Sequence, residues 1–159
     1  MNIIACDFKP GKNFEIGHFC VIHGGVIVGD NVTIKSYVEL RPGTVIGDNC
    51  YIDSGVRSSG KNRIGNDVTL RYGAIIARGC IIGDGCYICP QVMTNNVDHY
   101  GEQIGGARLG KNCFVGTNTT LGAGIEVAPD TVIGAKALVL KDILEPGGTW
   151  VGIPAKRIK

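Results

Sequence analysis

The sequence predicts an all-β repeat protein in which a short strand and a tight turn recur every six residues. An aliphatic residue occupies nearly every sixth position from Ile16 to Ile88, with Ser58 as the exception, and the same spacing runs from Leu109 to Val139. Glycine follows many of these residues, and the chain contains 25 glycines. A period of six is neither the 3.6-residue period of a helix nor the two-residue alternation of a half-buried strand. It therefore indicates a short strand followed by a turn, repeated many times.

A second inward-facing position lies two residues before each aliphatic residue, because residues two apart on a strand share a face. Small residues such as Val26, Ala74 and Thr119 occupy this position. Five of the seven cysteines also do, and we expect them to act as small buried hydrophobes: Cys20, Cys50, Cys80, Cys86 and Cys113. Cys89 occupies a turn position usually held by glycine, where its thiol could be exposed.

Bulk composition narrows the function classes. The 159 residues predict one domain, 1–159, and 16 basic against 14 acidic residues argue against a nucleic-acid partner. No apolar run approaches the roughly 20 residues that span a bilayer, so no membrane partner is expected. The first residues lack the pattern of a signal peptide. An odd number of cysteines without paired CxxC motifs predicts no metal and a reducing, cytoplasmic setting.

The repeat breaks once, between Thr94 and Leu109. Fifteen residues separate these positions, which is not a multiple of six. The chain is therefore expected to leave the repeat as a loop over 95–108 and to return; a C-terminal tail is expected over 142–159. A loop expelled from a rigid scaffold is a common place for functional residues. This one carries His99, one of only three histidines.

The repeated pattern of an aliphatic residue, glycine and four further residues resembles the hexapeptide-repeat proteins. The resemblance covers Ile16 to Lys159. It implies a left-handed parallel β-helix of about eight coils, with three hexapeptides per triangular coil, so that residues 18 apart stack. It also implies a homotrimer with active sites between subunits; a flat prism face offers a large surface for self-association, and a closed ring avoids open association.

Two segments resemble acetyltransferases of this family. The stretch "ICPQVMTNNVDH" is similar to the one leading into the catalytic histidine of maltose, galactoside and xenobiotic acetyltransferases, and that histidine falls on His99. The stretches from "LGKNCFVG" to "VLKDI" and "WVGIPAKRIK" are also similar to that group. The resemblance implies acetyl-CoA as co-substrate and a sugar acceptor, nucleotide-linked or destined for a surface polysaccharide. By position it implies coenzyme contacts at Thr117, Ala135, Lys141 and Arg157.

The chemistry of His99 fits such a transfer. An acceptor amine or hydroxyl must lose a proton as it attacks a thioester, and an imidazole with a pKa near 6.5 accepts protons at neutral pH. A second interpretation stays open. Nucleotide-sugar amino acetyltransferases place an asparagine at the position of Asn96, beside Asn95, and the substrate supplies its own acid–base chemistry.

Residues 18 apart below the loop are also expected to line the acceptor groove. His23 and Arg41 belong to this column, which ends at Asn95. A different class of function is a γ-carbonic-anhydrase-like metal protein, because "HFCVIH" resembles the histidine pair of those enzymes, although no coil precedes the pair to hold a third histidine. A non-catalytic β-helix scaffold is the remaining alternative.

Overall fold

A computed structural model describes residues 1–159 as an all-β solenoid of about eight turns, which confirms the prediction of a left-handed parallel β-helix. Twenty-three short strands form three sheets, and the chain visits the sheets in the repeating order III, I, II. Sheet I contains β1 (Ile3–Ile4), β3 (Val21–Ile22), β6 (Glu39–Leu40), β9 (Arg57–Ser58), β12 (Ile75–Ile76), β15 (Met93–Thr94), β18 (Thr120–Leu121) and β21 (Leu138–Val139). Sheet II contains β4 (Ile27–Val28), β7 (Val45–Ile46), β10 (Arg63–Ile64), β13 (Ile81–Ile82), β16 (Arg108–Leu109) and β19 (Glu126–Val127). Sheet III contains β2 (Glu15–Ile16), β5 (Thr33–Ile34), β8 (Tyr51–Ile52), β11 (Thr69–Leu70), β14 (Tyr87–Ile88), β17 (Phe114–Val115), β20 (Val132–Ile133), β22 (Thr149–Val151) and β23 (Lys156–Arg157).

Each strand pairs in parallel with the strand one coil away. Ile34 lies beside Ile52 and Leu70 beside Ile88, an offset of 18 residues. The three strand pairs that span the hairpin have an offset of 27, as in the pairing of Ile82 with Leu109, and the offset returns to 18 above them, as in the pairing of Leu109 with Val127. The break therefore adds nine residues at one corner without disturbing the order of the sheets. The final strand, β23, turns back antiparallel to β22 and ends the regular stacking.

The interior is one continuous core formed by the large aliphatic residues and by the small residues that lie two positions before them. Large residues such as Ile52, Ile88 and Leu121 are fully buried. All five cysteines in the small position are also buried, as predicted. Burial raises the pKa of Cys50 to about 11 and raises that of Cys80, so both thiols stay protonated and behave as apolar groups. Cys89 is buried too, with 7% of its surface exposed, so the expectation that it could be exposed was wrong.

The turns between sheets form three corners, named here by the sheets they join. Corner II–III explains the glycines that follow the aliphatic residues. There the carboxylate of Asp48 accepts a hydrogen bond from the N–H of Asp30 one coil below, at 2.7 Å. A Cβ on Gly29 would lie 2.2 Å from that oxygen. Glycine is therefore required by the close approach of adjacent coils at this corner.

Candidate functional site

The nine added residues form a small hairpin that projects from corner I–II. Val97 and Gln103 form an antiparallel bridge, and the carboxylate of Asp98 accepts hydrogen bonds from the N–H groups of Tyr100 and Glu102, both at 2.9 Å. The carbonyl of Asn96 accepts the N–H groups of residues 104 and 105 at 3.0 and 3.1 Å. Asparagine, aspartate and glycine are typical of such turns, since they hydrogen-bond their own backbone or tolerate unusual dihedrals. The loop is thus an ordered hairpin, and regular structure resumes at Arg108.

Buried polar groups fix the base of the hairpin. The hydroxyl of Thr94, the last residue before it, accepts the N–H of Ala77 at 2.7 Å and the thiol of Cys80 at 3.3 Å. On the returning side, a Cβ on Gly106 would lie 2.3 Å from the nitrogen of Cys80. Gly105 accepts the N–H of Gly124 in the next coil at 2.8 Å. The hairpin is therefore held from below and above.

His99 occupies the tip of this hairpin and is exposed. Its ring lies 3.9 Å from that of Tyr100, which is 80% exposed. Asn95 is also exposed, whereas Asn96 is partly buried at the hairpin base. The structure therefore places the three predicted loop residues at one corner, with the imidazole farthest from the column.

Thr117 and Ala135 lie on a different corner, III–I. They stack in adjacent coils, and the carbonyl of Thr117 accepts the N–H of Lys136 at 2.8 Å. Neither the Thr117 N–H nor the Ala135 N–H donates a hydrogen bond within the chain. A Cβ on Gly116 would lie 2.4 Å from the Ala135 nitrogen. Corner III–I thus holds two stacked amide N–H groups without a partner in the chain, and such groups are able to donate to a carbonyl oxygen or an oxyanion.

Lys141 and Arg157 lie at the C-terminal end of the column. Lys141 is exposed and, with Lys156 and Trp150, lines a largely apolar cavity of about 430 Å³. The indole N–H of Trp150 is buried without a hydrogen-bond partner. Arg157 forms an ion pair with Glu145 and donates to the carbonyl of Lys159 at 3.0 Å. The two predicted phosphate contacts therefore differ, because Lys141 is unpaired and Arg157 already has partners.

The column of His23 and Arg41 stacks below the hairpin, along corner I–II. Arg41 donates to Glu39 at 2.8 Å, and Nε2 of His23 lies 3.6 Å from the same carboxylate oxygen. The hydrogen bond from Arg41 is the main reason that the pKa of Glu39 is lowered. All three side chains are partly exposed, so this cluster is a solvated patch on the edge of sheet I.

The two groups of predicted site residues lie at opposite edges of sheet I. Asn95, Asn96 and His99 are at corner I–II, and Thr117 is at corner III–I. About five residues of extended chain separate the corners, or roughly 17 Å at the rise of a β-strand. No hydrogen bond or ring contact joins His99 to Thr117. A single chain therefore displays both halves of the predicted site without bringing them together.

Sequence reasoning missed a third feature at corner III–I. A cavity of about 330 Å³ opens there below Thr117, lined by Ser54, Ile75 and the six residues Tyr37, Gly55, Arg57, Tyr72, Gly73 and Gln91. A signal was available, because residues 19, 37, 55, 73 and 91 are 18 apart and read Phe, Tyr, Gly, Gly and Gln. Two adjacent glycines in an otherwise bulky column predict a gap.

No group of three or more His, Cys, Asp or Glu side chains is placed to hold a metal ion. His18 lies at corner III–I and His23 at corner I–II, so one chain does not bring them together. The structure contains no helix that is long and apolar enough to cross a membrane.

Family models match most of the repeat. The bacterial transferase hexapeptide model matches residues 11–42 and 63–96, and the model described as the hexapeptide repeat of succinyl-transferase matches residues 35–57 and 106–139. Together the matched ranges leave out only the termini, residues 58–62 and the hairpin. The chain belongs to the hexapeptide-repeat transferases, so the prediction of an enzyme of this family is confirmed.

Solved structures of similar shape support the same fold. A UDP-N-acetylglucosamine acyltransferase from Bacteroides fragilis is 22% identical with a TM-score of 0.78, and the match covers 99% of this chain and 72% of that one. An N-acyltransferase from Bacillus cereus, solved with dTDP-4-amino-4,6-dideoxyglucose and coenzyme A, is 16% identical with a TM-score of 0.62, covering 99% and 82%. A serine acetyltransferase from Neisseria gonorrhoeae in complex with serine is 23% identical with a TM-score of 0.58, covering 66% and 43%. At these identities the likeness concerns the fold.

Proposed function

We propose that the protein is an acetyl-CoA-dependent acetyltransferase that acts on an amine or hydroxyl of a sugar. The observation that carries the proposal is the pair of unpaired amides at Thr117 and Ala135, one coil apart on a backbone that stacking makes rigid. Such donors stabilise the negative charge that develops on a thioester carbonyl during acyl transfer. The resemblance of the surrounding segments to acetyltransferases supports acetyl-CoA as the donor.

In this mechanism His99 accepts the proton of the acceptor as its oxygen or nitrogen attacks the thioester carbon. The carbonyl oxygen becomes an oxyanion that accepts a hydrogen bond from the Thr117 N–H. The tetrahedral intermediate then expels the thiolate of CoA, and the imidazolium returns its proton to that sulfur. The products are the acetylated sugar and free CoA, and His99 ends unprotonated as it began.

The separation of His99 from Thr117 supports a site shared between subunits. We propose that three copies form a closed ring in which corner I–II of one copy faces corner III–I of the next. Two different surfaces then meet at each interface, and three such contacts close a ring. Arg41 and Tyr37 belong to the same coil of the chain. In the ring, Arg41 of one copy would therefore lie level with Tyr37 of its neighbour, and the column of His23 and Arg41 would face the lower part of the acceptor groove.

The coenzyme would extend from Thr117 and Ala135 toward the C-terminal end of the column. Of the two predicted phosphate contacts, Lys141 is the one that is free to bind, because it is exposed and unpaired whereas Arg157 is paired with Glu145. A lysine ammonium binds phosphate as a point charge. Arg157 would have to leave Glu145 to take part, so its replacement should affect coenzyme binding less than that of Lys141.

Two loop variants test the mechanism. His99→Ala should lower the rate of acetyl transfer by about 10²–10⁴-fold, the usual contribution of a general base. The readout is thiol release from acetyl-CoA with a panel of amino sugars and nucleotide-linked sugars. If Asn96→Ala abolishes transfer while His99→Ala does not, the substrate-driven mechanism operates instead.

The oxyanion donor has its own matched pair of variants. Thr117→Pro removes the N–H, and proline fits this turn because Pro90 occupies the equivalent position one coil below. Thr117→Ala keeps the N–H and serves as the control. Loss of one oxyanion donor costs about 10²–10³-fold in rate, so only the proline variant should show it. Equal activity of both variants would mean that this amide does not hold the reacting carbonyl.

A further inference from the structure

The cavity below Thr117 results from two missing side chains. The third turn residue of corner III–I has a positive φ in successive coils: 62° at Tyr37, 73° at Gly55, 66° at Gly73 and 59° at Gln91. Because Tyr37 and Gln91 adopt this conformation with full side chains, the backbone does not demand glycine at the two positions between them. A Cβ on Gly55 would meet nothing closer than 3.8 Å. Gly55 therefore opens a notch between Tyr37 below and the Gln91 side chain above, which we call the aromatic notch.

The walls of the aromatic notch combine aromatic rings with unpaired polar groups. Tyr37 and Tyr72 are 63% and 56% exposed. Tyr37 stacks on Phe19 below it, with ring centroids 5.3 Å apart and planes 13° apart, which orients its ring. Arg57 is exposed and forms no ion pair or side-chain hydrogen bond within the chain. The amide of Gln91 closes the top of the notch, where a Cβ on Gly73 would lie 2.4 Å from its nitrogen.

The surroundings leave the charge of Arg57 free for a ligand. The residue beside it in the sheet register is Glu39, whose carboxylate is already bonded to Arg41 at 2.8 Å. A planar guanidinium binds phosphate oxygens through two parallel hydrogen bonds. Exposed tyrosine rings offer flat apolar faces with polar tips, which suit stacking against a planar base.

We propose that the aromatic notch binds the nucleoside diphosphate part of the acceptor, with the base against Tyr37 and Tyr72 and the diphosphate on Arg57. This inference rests on the proposed acetyl transfer and names the class of acceptor. Adjacent coils lie about 4.8 Å apart, so Gly55 and Arg57 are roughly 14 Å below Thr117 along the column. A base beside Gly55 thus leaves the length of a diphosphate and a sugar between it and the reacting carbonyl.

The test measures nucleotide binding by calorimetry on the purified protein, without acetyl-CoA. The probes are UDP, dTDP, GDP and ADP, with the matching nucleosides and inorganic pyrophosphate for comparison. We expect at least one diphosphate to bind more tightly than its nucleoside or pyrophosphate. Tyr72→Ala should weaken that binding by about tenfold, the effect of losing one stacking partner. Arg57→Ala should weaken binding of the diphosphate and leave the nucleoside unchanged.

A matched pair of glycine variants guards against effects of folding. Gly55→Asn fills the notch, and asparagine tolerates a positive φ. Gly147→Asn makes the same change at corner II–III, away from the proposed interface, where φ is 73° and a Cβ would meet nothing closer than 4.0 Å. Binding should fall for Gly55→Asn and persist for Gly147→Asn. Unchanged binding in Gly55→Asn and Tyr72→Ala, or no binding of any diphosphate, would overturn the proposal.

Acetyl transfer to free amino sugars separates this inference from the function on which it rests. Transfer to a free sugar without nucleotide binding would overturn the notch as a nucleotide site and leave the transferase intact. Nucleotide binding that follows the variants as expected, without transfer to any acceptor, would uphold the notch and overturn acetyl transfer.

Discussion

Mixed trimers provide a quantitative test of a site shared between subunits. His99 and Thr117 lie at opposite edges of sheet I, so each active site should take the histidine from one chain and the amide from the next. In a trimer whose three chains all carry His99→Ala, or all carry Thr117→Pro, every active site is inactivated. A mixed trimer contains two chains of one variant and one chain of the other. In either case, a Thr117→Pro chain is followed around the ring by a His99→Ala chain at only one interface. One interface of the three then carries both an intact histidine and an intact amide.

The expected activity follows directly from this count. Mixed trimers should show about one third of the wild-type rate per trimer, whereas each pure variant falls by about 10²-fold or more. The two chains would be co-expressed with different affinity tags, and mixed trimers purified on both tags in turn. Thiol release from acetyl-CoA gives the rate.

The opposite outcome is equally clear. If His99 and Thr117 of the same chain formed the site, every chain in the mixed trimers would carry a defect. Activity would then stay at the level of the pure variants. That result, obtained with trimers that are intact by size, would refute the shared site.

Three further predictions concern the column itself. At pH 8 only the exposed Cys6 should react rapidly with a thiol reagent, because the other six cysteines are buried and burial also raises the pKa of Cys50 to about 11. Mass spectrometry of the labelled protein counts the modified residues, and rapid labelling of several cysteines in the folded protein would contradict this. Thr94→Val should lower the free energy of unfolding, measured by urea denaturation, by about 1–3 kcal/mol, because it leaves the buried N–H of Ala77 unpaired. Thr94→Ser keeps the hydroxyl and should cost less, so equal stability of the two variants would count against the role of the hydroxyl. Gly29→Ala should lower the melting temperature, because its Cβ would lie 2.2 Å from a carboxylate oxygen of Asp48 in the next coil. An unchanged melting curve would show that the two coils can move apart at little cost.

The functional residues show where sequence reasoning stops. The sequence located the hairpin and its histidine, because a break in a strict period is visible in one dimension. It also placed Thr117 and Ala135 one coil apart. It did not reveal that His99 and Thr117 face different directions, since a period of six says nothing about which corner a turn occupies once nine residues have been added. The aromatic notch was overlooked because its residues come from four coils.

The sequence by itself determined the column. Period, residue size and the glycines at close approaches are local properties, and stacking at an offset of 18 residues below and above the hairpin turns them into a single fold. Only the tertiary structure decided which side chains share a corner, that Cys89 is buried, that Arg157 is already paired with Glu145, and that two glycines open a cavity between tyrosines. These properties depend on contacts between coils far apart in the chain. Such contacts follow from the packing of the whole column, which no single repeat contains.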